Sequence, residues 1–340
     1  MNNKIYELES LRGIFALLIV FFHFPVNNIL YNNEFIKNSF FSVDFFFVLS
    51  GFIIGKVYEN RINSLNEFKT FLKKRFYRIY PLHFSFLLIF CLIEICKIFF
   101  AERFNIYPNN GFANFNDFIL NLFLVHGYSG TSYNEPSWSI SVEFASYFIF
   151  AIFVFFLKKK ISYVLIFIMI GLILITYNLF GTSFSQLGRC IYAFFLGYLS
   201  LKLTKIITFP NNNILSLFFI IFIFYLISSN LNYKFYFLPI FFSLFIIMVI
   251  QGKKGSLLNK LLNLNFLKYL GKISYSLYLT HFALAYILRQ ILHYVFKFEI
   301  SNGMLVLNLF YYPIILFYIF LVISVSNYSY QKIEKKYRIQ

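Results

Sequence analysis

Charge is what this chain has least of. Asp, Glu, Lys and Arg together make up 13% of its 340 residues, against about 25% in an ordinary soluble domain. That shortage excludes a soluble globular protein. Cysteine is nearly absent: Cys91, Cys96 and Cys190 each lie inside an apolar run. They show neither zinc-ligand spacing nor a disulfide framework, so they read as small hydrophobes and no metal is expected. Tryptophan occurs once, as Trp138. No solenoid-type repeat, long linker or appended soluble domain is visible. The Asn- and Lys-rich flavour of the loops is spread along the chain as background composition.

Apolar sequence is what it has in abundance, with 60% hydrophobic and 24% aromatic residues. Runs of about 20 apolar residues are long enough to cross the hydrocarbon core of a bilayer. They fall at 8–27, 40–57, 81–100, 138–157, 161–179, 185–203, 212–229, 235–251, 273–296 and 303–326. The expected fold is therefore an all-α polytopic membrane protein with about ten transmembrane helices, forming one integral-membrane domain over 1–340. The piece 118–128 is too short to cross, and charge decides its role. If it is a re-entrant or interfacial helix, most of the 30 lysines and arginines fall on one face, and both termini are cytoplasmic by the positive-inside rule. If it crossed, that bias would vanish. The net charge of +17 thus reflects topology in a multi-pass protein of the cytoplasmic membrane, with the bilayer as partner and no nucleic acid. Glu7, Glu9 and Arg12 stand at the start of the first run, and no small-residue cleavage pattern follows it, so it reads as an uncleaved span.

Within that first run, Arg12 and His23 are eleven positions apart. They share one helix stripe, about 16 Å from each other along the axis. Ionisable groups inside a membrane are costly and mark function; the bland alternative is that each merely snorkels to an interface. Gly13 and Ala16 would let a neighbouring helix approach there. Asp44, in Ser42-Val43-Asp44, enters about as deep as His23. It could orient that imidazole or simply complement a helix N-terminus. Gly51 and Gly55 form a small-xxx-small pair suited to close packing.

Arg75 and Arg78, three apart, share a face at the end of a basic stretch. A guanidinium fork suits a polyphosphate, although anionic lipid headgroups would also be met there. After Trp138, placed as an interface anchor, Ser139 and Glu143 share a stripe continued by Ser146 and Tyr147. A buried glutamate needs a partner, and His23, Arg12 and Arg189 are candidates; a structural ion pair is the alternative. Ser274, Tyr278 and His281 form a polar seam facing protein, in which His281 is either catalytic or hydrogen-bonded across helices. His126 and His293 read as interface residues.

Five stretches together resemble one family. They are Leu8-Glu9-Ser10-Leu11-Arg12-Gly13 through His23, Ser42-Val43-Asp44-Phe45-Phe46-Phe47-Val48-Leu49-Ser50-Gly51-Phe52, Arg75-Phe76-Tyr77-Arg78-Ile79-Tyr80-Pro81, Ser137-Trp138-Ser139-Ile140-Ser141-Val142-Glu143 and Ser274-Tyr275-Ser276-Leu277-Tyr278-Leu279-Thr280-His281. In this order they look like the acyltransferase 3 family of membrane-bound O-acyltransferases. The resemblance implies transfer of an acyl group, usually acetyl, from cytoplasmic acyl-CoA (acetyl-CoA) to a hydroxyl of a cell-envelope or exported glycan or lipid-linked sugar. Arg12 and His23 match the family's arginine–ten residues–histidine motif, with His23 the catalytic position. Arg75 and Arg78 match the block associated with the donor, which extends to Tyr80, and His281 would join that donor site. Glu143 matches the acidic position of the Trp-Ser-x-Ser-x-Glu block. Glu9-Ser10 stands where the family commonly has Asp-Gly or Asp-Ser. The hydrolase-like domain that some members carry is not seen, so an extracytoplasmic acceptor protein would be a separate chain.

On this reading His23 is a general base, with Glu143 or Asp44 fixing its tautomer and Arg12 stabilising negative charge. A transporter or flippase of an envelope glycan is the other class that buried charges permit; paired broken helices from an internal repeat would mark it, and none is seen. A membrane scaffold would leave the in-register charges unexplained.

Overall fold

The computed structural model describes residues 5–24, 26, 31–104, 114–128, 132–177, 182–210, 213–231, 233–301, 304–307 and 310–337. Apolar backbone away from water must satisfy its own hydrogen bonds, and a helix does so within one segment. Helices accordingly dominate: α1 (Tyr6–Phe22), α2 (Glu34–Lys37), α3 (Ser42–Tyr58), α4 (Leu65–Phe104), α5 (Phe115–Leu122), α6 (Trp138–Phe155) and α7 (Ile161–Tyr177). They continue as α8 (Thr182–Leu203), α9 (Asn213–Ser228), α10 (Lys234–Gln251), α11 (Leu257–Leu262), α12 (Asn265–Lys272), α13 (Ser274–Gln290) and α14 (Tyr311–Ser329). Between α13 and α14 lies a small antiparallel hairpin of β1 (Ile300–Ser301) and β2 (Met304–Leu305).

The expected apolar runs fall on α1, α3, α4, α6–α10, α13 and α14. Among the described residues, five helical segments are long and apolar enough to cross a membrane: Ser39–Tyr58, Leu65–Lys97, Glu135–Phe155, Lys234–Gln251 and Tyr311–Tyr337. Two shorter apolar helices, Ile161–Tyr177 and Asn213–Ser228, accompany them. Lys4 and Arg338, which the charge bias assigns to the basic face, lie outside the described residues. The piece at 118–128 is the end of α5 plus a tight turn at His126–Tyr128. Asn114 and Asp117 cap α5 reciprocally, and its eight residues make about 12 Å, less than half of a bilayer core.

Two elements differ from expectation. The run at 303–326 begins as hairpin, and its helix starts only at Tyr311. The helix that carries the run at 81–100 starts well before it, taking in the basic stretch ahead of Pro81. It is α4, a single helix of 40 residues running through Pro81, about 60 Å long. Lys69, Lys73 and Lys74 face outward from its first half, while Phe71 and Ile79 are buried, so this half has two faces and packs as a helix. Proline removes one ladder hydrogen bond. Two residues earlier, the Tyr275 hydroxyl donates to the Ile79 carbonyl at 2.6 Å, tying α13 to α4 close to the proline.

Small residues set the tightest crossings. A Cβ on Gly51 of α3 would lie 1.8 Å from the Phe194 carbonyl oxygen of α8, and a Cβ on Gly197 of α8 would lie 1.8 Å from that of Val48. The two backbones therefore touch, as small-residue faces allow. In the same way α1 rests on α12, where a Cβ on Gly271 would lie 1.9 Å from the Glu9 carbonyl oxygen. That contact fixes the height of Arg12.

Candidate active site

At the end of the bundle where α4 is basic, a cavity of about 120 Å³ opens between α1, α3, α4, α6 and α13. Arg12, Arg75, Arg78 and Glu143 all line it, with Ser50, Ser139, Tyr147, Tyr275 and Tyr278 between them. Four charged side chains from three stretches far apart in the sequence thus meet in one place. Helix periodicity accounts for the α6 contribution, because Ser139, Glu143 and Tyr147 are spaced by four and stand on one stripe. Tyr147 donates to Glu143 Oε1 at 2.6 Å, and its oxygen lies 3.1 Å from Ser50 Oγ. Arg75 donates from Nη2 to the Tyr58 hydroxyl at 3.0 Å and lies 5.0 Å from that ring's centre. The Tyr278 hydroxyl is 2.6 Å from the Pro136 carbonyl and 2.7 Å from Ser139 Oγ.

His23 lies elsewhere, on a second cavity of about 260 Å³ that also meets Glu135, Phe282, Tyr286 and Arg289. It is the residue at which α1 ends. Its Nδ1 is 3.1 Å from the Ile19 carbonyl and 3.1 Å from Nε2 of His281. His281 is fully buried, and its Nδ1 is 3.1 Å from the Leu277 carbonyl. A carbonyl oxygen only accepts, which assigns the proton of His281 to Nδ1 and leaves its Nε2 an acceptor. His23 then carries its proton on Nδ1, facing that acceptor, and its Nε2 keeps a lone pair. One face of α13 serves both cavities: Tyr275 and Tyr278 at the first, Phe282, Tyr286 and Arg289 at the second, with His281 between.

Several expected partnerships are different. Asp44 does not meet His23; its carboxylate takes two hydrogen bonds from Arg189, at 2.9 and 3.3 Å. Arg189 is itself flanked by Trp138 and Phe235, 5.5 and 4.5 Å from the ring centres. A carboxylate 1% exposed needs a cation in the same dry layer, and α8 supplies one. Glu143 is held by Tyr147 rather than by His23. Tyr80 stacks on Phe76, with ring centres 4.3 Å apart, and is not among the residues lining the first cavity. His281 meets His23 and not the arginines. His126, expected at an interface, is buried with Nε2 3.1 Å from Ser137 Oγ. Burial, helped by the neighbouring His83, pulls its pKa down to about 3, so it stays neutral.

Sequence reasoning missed Glu334. It is buried, accepts from Ser276 Oγ at 2.8 Å and lies 4.0 Å from Arg78. Its neighbours Lys332, Lys335 and Lys336 read as topological charge and hid it. An acid alone among those lysines was the available signal.

The sequence profile described as an acyltransferase domain matches residues 5–328. The chain belongs to the acyltransferase 3 family. Curated relatives in Staphylococcus aureus strains COL, MSSA476 and MRSA252, each named "Putative O-acetyltransferase", are 26% identical over 354 aligned residues. The alignments cover 89% of this chain and 55% of each relative, so this acyltransferase-family chain spans about half the length of the curated relatives it matches. No solved structure matches it.

Proposed function

We propose that this protein is a membrane O-acyltransferase that moves an acyl group, acetyl in the first instance, from coenzyme A to a hydroxyl of an envelope or exported glycan. One observation carries the reading: Arg12, Arg75, Arg78 and Glu143 converge on one cavity, while His23, backed by His281, borders the next. Coenzyme A enters from the cytoplasmic, basic end, and Arg75 and Arg78 grip its phosphates bidentately. Its thioester reaches toward His23. The acceptor hydroxyl arrives from the other end, from a carbohydrate or lipid-linked sugar.

His23 Nε2 takes the hydroxyl proton as the acceptor oxygen bonds to the thioester carbonyl carbon. The carbon–sulfur bond then breaks, the acyl group stays on the acceptor, and the proton passes to the departing thiolate. The neutral acceptor nitrogen of His281 keeps the His23 proton on Nδ1 and, through that hydrogen bond, steadies the imidazolium while it exists. Arg12, in the donor cavity, offsets the negative charge of the bound coenzyme. In this arrangement the protein is a multi-pass protein of the cytoplasmic membrane with about ten spans and both termini inside.

The test uses His23→Ala and Glu143→Gln in membranes with matched protein levels, following label from acetyl-CoA into glycan ester. A general base contributes about 10²- to 10⁴-fold, so His23→Ala should reduce incorporation by at least the lower figure. Wild-type incorporation in His23→Ala removes the base from the mechanism.

A further inference from the structure

A buried carboxylate stands just behind the donor wall, beyond the last residue of the family match at 328. Glu334 belongs to a wide helical turn, Tyr330–Glu334, that follows α14. Such π-type turns often occur at functional sites. Here the turn separates Glu334, whose side chain is 1% exposed, from Lys332, Lys335 and Lys336, which are all exposed. An acid in this position could meet those lysines in water. Instead it turns inward, accepts from Ser276 Oγ at 2.8 Å and brings Oε1 to 4.0 Å from Arg78 Nη1. That separation exceeds hydrogen-bond range, so the carboxylate acts on the guanidinium by charge. Arg78 lines the first cavity and Glu334 does not, so the acid holds the arginine from outside the wall.

We propose that Glu334 is a positioning residue for the donor site, fixing the Arg78 guanidinium in the orientation that grips the phosphates of coenzyme A. The inference rests on the donor reading above. Arginine is a long side chain with many rotamers, and binding is tighter when such a group is already ordered. The device needs a buried acid on one side of Arg78 and open cavity on the other, and both are present.

The experiment measures coenzyme A binding to the detergent-purified chain by calorimetry, with pantetheine, which lacks the phosphates, as the comparison ligand. Glu334→Gln keeps an oxygen for Ser276 and removes only the charge. It should weaken coenzyme A about ten-fold, a shift typical of coupled neighbours, and leave pantetheine unchanged. In an Arg78→Ala background it should add nothing further. Ser276→Ala, which loosens the carboxylate without changing charge, should move coenzyme A in the same direction by less, and serves if Glu334→Gln is poorly folded. Equal coenzyme A affinity in the Glu334 and Ser276 variants and the wild type, or full additivity with Arg78→Ala, overturns the inference alone. A wild-type chain that binds no coenzyme A overturns the donor reading and this inference with it.

Discussion

At the scale of single residues, the polar groups divide by what each one faces. His23 keeps a lone pair because His281 and two backbone carbonyls assign every proton around it. Replacing His281 by Phe removes the acceptor and fills the space with a ring that cannot take its place. Turnover of label from acetyl-CoA is expected to fall about 10²-fold, comparable to loss of a positioned hydrogen-bonding group at a reaction centre, with coenzyme A affinity unchanged. Asp44 gives the opposite expectation. Asp44→Asn leaves the partly buried Arg189 without its counter-charge, a loss of about 3 kcal/mol, at the lower end for a broken buried pair. Less folded protein should be recovered after heating in detergent, while turnover per folded molecule persists. A variant of full stability and no turnover would return Asp44 to the catalytic set.

Arg12, Arg75, Arg78 and Glu143 were legible in the sequence because each is an ion inside or beside an apolar run. Their partners were not, since pairing depends on how each helix is rotated about its axis. Three candidate partners for one carboxylate can be written from sequence, and packing alone selects Tyr147 for Glu143 and Arg189 for Asp44.

At the scale of elements, hydrophobic length located the helices well and their ends less well. The basic stretch ahead of Pro81 resembles a loop because proline and a lysine cluster both signal interruption. Tertiary packing on Phe71 and Ile79 overrides those signals and carries α4 through. The run at 303–326 misled in the other direction, because a short hairpin of Ile300, Met304 and Leu305 is as apolar as the helix it precedes. Glycine spacing was the more informative cue: the Gly51 face is where α3 and α8 touch. Gly51→Leu sets a side chain against the Phe194 carbonyl, where neither backbone can yield, and overpacking of this kind costs about 1–3 kcal/mol or more. The midpoint of thermal unfolding in detergent should fall, and it should fall less for a Leu placed at Gly252, where the nearest atom to a new Cβ is 3.3 Å away.

At the scale of the whole molecule, the distribution of lysine and arginine predicts a single basic face. Cysteines introduced at Lys74 and Lys159, in a background where the three native cysteines are replaced by serine, should both react with a membrane-impermeant maleimide only after cells are opened. One introduced at Lys37 should react in intact cells. Labelling of the Lys159 position from outside would make 118–128 a crossing segment and overturn the ten-span arrangement.

Because Arg12 and His23 open onto different cavities, the proposed reaction would draw its two substrates from two separate compartments. Under the proposed function, a phosphorylated nucleotide and a sugar would never share a vestibule or trade sides. On that reading only the acyl-bearing arm of the donor crosses from one cavity to the other, and the bulk of each substrate stays on its own side of the lipid barrier.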